Sequence, residues 1–144
     1  MKLEEISASI FSSRAECLVN PTNSVGVMGA GLAKEFMVRY PLLCDEFNSF
    51  SRTESGLIVP KLYRTISRAI LMFPTKVHWR NLSKLEHVEQ NMALAVKLLN
   101  AEKIKSVAFP RLGCGLGGLS WEQVGPVMVK ALESYEGDAA EIYV

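Results

Sequence analysis

The sequence predicts an α/β fold, a three-layer α/β/α sandwich with helices on both faces of one sheet. Two observations predict it. Short apolar strands alternate with amphipathic helices, and two glycine-rich loops each follow a strand and lead into a helix. At 144 residues, with 49% hydrophobic and 22% charged side chains, the chain suits one globular domain with a substantial core. No linker, internal repeat or low-complexity segment divides it.

Residues 2–7 alternate weakly and are expected as an edge strand. Ser9-Ile10-Phe11 follows, with a polar turn at Ser12-Ser13-Arg14. The apolar run 17–19 reads as a buried strand that breaks at Asn20-Pro21. A loop of small residues carries Gly26, Gly29, Ala30 and Gly31. A helix then places Leu32, Phe36 and Tyr40 on one face. Tyr40-Pro41 stops it, because a residue before proline avoids helical geometry. Leu43, Phe47 and Phe50 mark a second helix over about 42–52.

Residues 57–63 and 66–73 are expected as two strands turning at Arg64-Thr65, with Pro74 ending the second and 75–82 a loop. Ser83-Lys-Leu-Glu86 matches a capping box, and Leu85, Val88, Met92, Ala95 and Leu99 form the stripe of the helix it opens. Residues 106–109 make a short central strand, followed by the loop 110–119. Ser120-x-x-Gln123 caps a helix to about Glu133, with Val124, Val127, Met128 and Ala131 inward and Pro126 expected to kink or shorten it. Residues 140–144 add a last strand.

The formal charge is only +1, so no global field points to a polyanion. The distribution is uneven. Residues 55–85 hold Lys61, Arg64, Arg68, Lys76, Arg80 and Lys84 and no acid, whereas 131–144 hold Glu133, Glu136, Asp138 and Glu141 and no base. Three scattered cysteines suggest free thiols in a reducing compartment. With no signal peptide or membrane-length apolar run, a cytoplasmic protein without membrane contact is expected. No residue pattern calls for a metal or a cofactor.

Strand, glycine loop and helix N-terminus together present backbone N–H groups to phosphate. Gly113-Cys-Gly-Leu-Gly-Gly118 matches GxGxxG, but a dinucleotide-binding fold needs more strands beyond it than this chain has room for. No Gly-Lys-Ser/Thr follows either loop. Two loops at strand ends suggest one cleft clamped from two sides, suited to a pyrophosphate with a sugar at each end.

Val19-Asn20-Pro-Thr-Asn23 with Gly26-Val-Met-Gly29-x-Gly31, and Pro110-x-Leu-Gly-Cys-Gly115 with Gly117-Gly118-Leu-x-Trp121, resemble a macrodomain, the ADP-ribose-binding fold, over nearly the whole chain. Phe73-Pro-Thr-Lys76-x-His78-Trp79 is similar to the branch of DNA ADP-ribosyl glycohydrolase antitoxins (DarG-type), which is related to the terminal-ADP-ribose glycohydrolases. The resemblance implies a single macrodomain over 1–144 with a mixed central sheet. Gly26, Val27, Met28, Gly29, Ala30 and Gly31 would wrap the distal ribose and diphosphate. Gly113, Cys114, Gly115, Leu116, Gly117, Gly118 and Leu119 would cover the diphosphate from the other side. Asn20 and Asn23 would lie by the distal ribose. Lys76 would be the catalytic residue at its anomeric carbon.

Chemistry supports a lysine there. A nucleophilic amine can form a Schiff base with an opened sugar, provided desolvation or neighbouring cations lower its pKa. From the residues alone, Lys76 reads first as a solvated loop lysine or a phosphate partner, and the motif resemblance reverses that order. Many macrodomains have Gly-Asp where this chain has Ala8-Ser9, and that aspartate accepts the adenine amino group. Ser9 can still hydrogen-bond but is a weaker acceptor, which implies either low adenine affinity or a base held through the backbone at Ile10. The terminal-ADP-ribose enzymes place an aspartate where this chain has Gly117, so a nucleobase suits this chain better as acceptor than a carboxylate side chain. His78, Trp79 and Arg80 are candidates to hold an extruded base, although Trp79 can equally pack the loop down. Cys114, between glycines, reads as a compact filler.

The function so expected is removal of ADP-ribose from a thymidine-type adduct in DNA. The alternatives are a sensor of ADP-ribose that turns nothing over, and a hydrolase of a small derivative such as ADP-ribose 1''-phosphate. The resemblance implies ADP-ribose and ADP-ribosylated DNA as partners, leaves room for an ADP-ribosyltransferase toxin partner, and suggests a monomer.

Overall fold

The computed structural model describes residues 1–144 except Ser55, Leu57 and Trp79. Its strands are β1 (Lys2–Ile6), β2 (Cys17–Asn23), β3 (Lys61–Arg64), β4 (Ala69–Lys76), β5 (Ser106–Pro110) and β6 (Ala139–Tyr143). They form one sheet in the order β1-β6-β5-β2-β4-β3. Only β3 runs antiparallel to its neighbour, so the sheet is mixed. The helices are α1 (Gly31–Arg39), α2 (Pro41–Thr53), α3 (Leu85–Ala101) and α4 (Trp121–Leu132). Among the described residues no helix is long and apolar enough to cross a membrane.

Alternation along the central strands builds two cores. Cys17, Val19, Leu71, Phe73, Val107 and Phe109 face α3 and α4. Leu18, Ile70, Met72 and Ala108 face α1 and α2, against Phe36 and Phe47. Both faces are covered, which explains why these strands read as unbroken apolar runs. Phe36, Phe47, Phe73 and Phe109 are fully enclosed, each contributing about 1.5–3 kcal/mol of burial.

Two prolines expected to end strands do not. β2 continues through Pro21 and β4 through Pro74. The reason is local: β5 pairs with β2 only at Cys17 and Leu18, and β3 pairs with β4 only as far as Met72. Each proline therefore lies where its strand has one free side, and a missing N–H breaks no ladder there. The expected strands at 57–63 and 66–73 are shifted accordingly, to β3 and β4. The helix expected from a Ser83 capping box starts instead at Leu85, with Lys84 as an uncapped N-cap, because the buried Ser83 packs against the second glycine loop. Ser120 and Gln123 do form a capping box, and α4 runs on through Pro126.

The topology places the site. From β2 the chain moves across the sheet through α1 and α2; from β5 it moves the other way through α4 on the opposite face. The neighbouring ends of β2 and β5 are thus a switch point, the place where an open α/β sheet forms a crevice.

Candidate functional site

A cavity of about 860 Å³ opens where β2 and β5 part. β2 supplies Pro21, Thr22 and Asn23, β4 supplies Thr75 and Lys76, and Pro110 and Arg111 close the β5 side. The volume suits a drug-sized or nucleotide-sized ligand.

The first glycine loop is tied down from beneath. Asn23 Oδ1 accepts the N–H groups of Val25, Gly26 and Val27 at 3.1, 3.1 and 3.3 Å, and its Nδ2 donates to the Val27 carbonyl at 2.6 Å. The Arg52 guanidinium donates to the Gly26 carbonyl at 2.9 Å. Gly26 has φ +76°, and a Cβ there would collide with the Asn48 carbonyl, so only glycine fits. Above this anchor, Gly29, Ala30 and Gly31 line the cavity and α1 begins. Its N-cap Ala30 makes no side-chain cap, and its first turn holds no acid. The opening N–H groups of a helix lack intrahelical partners, and this end suits an anion.

The second loop, Gly113 to Gly117, forms the opposite wall. Ser83 N–H donates to the Gly117 carbonyl at 2.8 Å, and Leu119 N–H donates to the Gly113 carbonyl at 2.9 Å. Leu116 is exposed and reaches over the first loop: a Cβ on Gly31 would stand 3.3 Å from its Cδ1.

Lys76 is half-buried at the end of β4, opposite Asn23 after an irregularity in the pairing. Burial lowers the pKa of its amine from the usual 10.5, since desolvation disfavours the ammonium form. It makes no ion pair among the described residues. The described wall carries three cations, Lys76, Arg80 and Arg111, and no carboxylate. Cys114 also lines it, but burial pushes its thiol pKa up, with Arg111 opposing. A thiol so shifted is a poor nucleophile.

Not every sequence candidate reaches the wall. Asn20 has no exposed surface, and its Nδ2 lies 3.4 Å from Met72 Sδ and 3.7 Å from Met28 Sδ. Gly26 and Met28 are buried beneath the loop. Gly118 and Leu119 sit behind the second loop, Leu119 against the α3–α4 core. Ser9 caps a short 3-10 turn, accepting Phe11 N–H at 3.3 Å, and Ile10 is buried; neither lines the cavity. Arg80 lines it, and its N–H donates to His78 Nδ1 at 3.0 Å. Trp79 lies outside the described residues.

The structure adds Pro21, Thr22, Leu32, Ala33, Thr75, Pro110 and Arg111 to the wall. Each flanks a glycine loop or ends a strand, a signal that was present once those elements were placed. The basic stretch, by contrast, divides. Arg64 pairs across from Ala69, at the other end of β4 from Lys76, about 23 Å away at strand rise. There it meets Glu102 and Glu16.

Residues 19–128 match the family profile described as Macro domain. The chain is 34% identical to a DNA ADP-ribosyl transferase-DNA ADP-ribosyl glycohydrolase fusion protein of Thermosipho africanus, over 93% of this chain and 40% of that protein. It is 33% identical to a DNA ADP-ribosyl glycohydrolase of Thermus aquaticus, over 98% of this chain and 41% of that one. The chain thus spans about two fifths of the length of these curated relatives. Among solved structures it is similar to the macrodomain of Thermus aquaticus DarG, with TM-score 0.91 and 32% identity, covering 99% of this chain and 97% of that one. It is also similar to Thermosipho africanus DarTG in complex with ADP-ribose, with TM-score 0.90 and 34% identity, covering 99% of this chain and 42% of that one.

Proposed function

Since this chain belongs to the macro domain family, we propose that it binds ADP-ribose and removes it from a nucleobase in DNA, with Lys76 as the catalytic group. The observation that carries this reading is the amine of Lys76, desolvated, in a cavity whose described wall has no carboxylate. Glycoside hydrolysis by a pair of carboxylates has no groups to use there. An amine of lowered pKa is the nucleophile left.

In the proposed sequence the neutral Nζ attacks the anomeric carbon of the distal ribose. The bond to the base breaks, and the base leaves with the electron pair and takes up a proton. The ribosyl amine opens at the ring oxygen to a Schiff base. Water adds to that carbon, the lysine amine is expelled, and free ADP-ribose results. Gly29 to Gly31 and the start of α1 would hold the diphosphate, with Leu116 above it. The names of the relatives support DNA as the acceptor and are consistent with a transferase partner.

The test is release of free ADP-ribose from an ADP-ribosylated thymidine oligonucleotide. Wild type should release it, and Lys76→Ala should not, while both bind ADP-ribose in calorimetry. Binding by both with release by neither would establish a sensor. Turnover of ADP-ribose 1''-phosphate but not of the oligonucleotide would establish a small-molecule hydrolase.

A further inference from the structure

We infer that Asn91 is a positioning residue, which sets where the Lys76 amine stands in the cavity by holding the end of β4. This rests on the reading of Lys76 as the catalytic group. β4 carries one residue more than β2 just before that lysine. Thr22 stands opposite Pro74, but Asn23 stands opposite Lys76, with Thr75 left over. An extra residue of this kind disrupts the ladder locally and re-aims the side chain that follows. β3 gives no support there, because it pairs with β4 only as far as Met72. Pro74 has no N–H, so its carbonyl is the one backbone group by which that buried residue can be held.

Asn91 holds it. This side chain lies on the buried face of α3, between Val88 and Ala95, and is 1% exposed. Its Nδ2 donates to the Pro74 carbonyl at 2.9 Å and to the Ile58 carbonyl at 3.3 Å. Ile58 N–H in turn donates to the buried Ser24 Oγ at 3.0 Å. Ser24 N–H donates to the carbonyls of Lys76 and Val77 at 3.1 and 3.0 Å. Lys76 is thus gripped through its own carbonyl and through that of Pro74, and Asn91 and Ser24 close the clamp by way of Ile58. The glycine loops are fixed by other groups, the side chains of Asn23 and Arg52 and the backbone of Ser83. The clamp governs the amine and leaves the ADP-ribose cradle standing.

The test compares wild type, Asn91→Ala, Ser24→Ala and Ala95→Gly, the last a buried α3 position one turn on and outside the clamp. Thermal melts rank their stability, and kinetics are run well below the lowest melting temperature. Asn91→Ala should lower kcat on the modified oligonucleotide about 10- to 100-fold, as misplacement by about 1 Å does, with KM and the affinity for free ADP-ribose unchanged. Ser24→Ala loses only the Oγ link and should show a smaller fall of the same kind, and Ala95→Gly none. A second readout needs no turnover: labelling of Lys76 by acetic anhydride, followed by peptide mass spectrometry. ADP-ribose should shield Lys76 in wild type and shield it less in Asn91→Ala. Wild-type kcat and shielding in Asn91→Ala would overturn the inference. Equal falls in Asn91→Ala and Ala95→Gly, or a loss of ADP-ribose affinity that matches the loss of kcat, would overturn it too. If Asn91→Ala does not fold, Ser24→Ala carries the test, and wild-type kcat there overturns the inference. Should wild type and Lys76→Ala release ADP-ribose alike, the catalytic reading of Lys76 fails by itself, and the labelling alone decides whether Asn91 places the amine against the ligand.

Discussion

Ser83 and Gly117 are fitted to each other at two points. The Ser83 N–H donates to the Gly117 carbonyl at 2.8 Å, and a Cβ on Gly117 would stand 2.6 Å from Ser83 Oγ and 3.2 Å from Ser83 Cβ. The backbone of the second loop thus lies on a buried serine that leaves position 117 no room for a side chain. Gly117→Ala should lower stability by about 1–3 kcal/mol, as overpacking does, and weaken ADP-ribose binding. Ser83→Gly in the same chain should restore part of both, because the colliding atoms are gone while the N–H remains. Thermal melts and calorimetry on the two single variants and the double would show a coupling. Additive losses would mean that the contact is not the cause.

Asn23 is expected to act through the loop. All its side-chain hydrogen bonds in the structure go to residues 25–27. Asn23→Ala leaves four backbone groups without those partners and should cost about 1–3 kcal/mol. Asn23→Asp keeps the acceptor for three N–H groups but sets a carboxylate against the Val27 carbonyl. It should retain more stability than Asn23→Ala. A denaturant titration checks the order, and the reverse order would argue for a different role of the amide.

How far the sequence was legible follows from the range of each contact. The alternating strands, the two cores and both glycine loops are written in local pattern, and the structure follows them. Ser83 was misleading because its local pattern matches a capping box, whereas a contact more than thirty residues away takes the side chain. Pro21 and Pro74 were misleading because their tolerance depends on where neighbouring strands stop pairing. Asn20 sits two strand positions before Thr22, which lines the cavity, yet lies between two methionine sulfurs in the interior. Arg111 carries no local signal, because exposed arginines are common and only the fold brings it to the cavity wall.

Charge reversals should separate the two ends of the basic stretch. Arg64→Glu removes a half-exposed pairing with Glu102 and a longer one with Glu16, worth no more than about 1 kcal/mol. At the opposite end of β4 from the cavity, it should leave oligonucleotide turnover unchanged. Arg80→Glu puts an acid into the wall that also carries Lys76 and should raise KM for the oligonucleotide by about tenfold or more. Steady-state kinetics on both variants is the check. A strong effect of Arg64→Glu would mean that the strand reaches around the β3 edge.

The pH dependence follows from the Lys76 amine. Its pKa is lowered from 10.5 by burial, so a larger share is neutral at a given pH than for a solvated lysine. Only the neutral form attacks, so kcat/KM should rise tenfold per pH unit on the acid side and level off at the lowered pKa, below 10.5. Lys76→Arg keeps the charge but offers no amine, and should retain ADP-ribose binding without turnover. The profile should be measured from about pH 6 to about pH 10, on the modified oligonucleotide. A rate that falls as pH rises through this window would require the ammonium form instead, making Lys76 an acid or an electrostatic contact and ruling out a Schiff base.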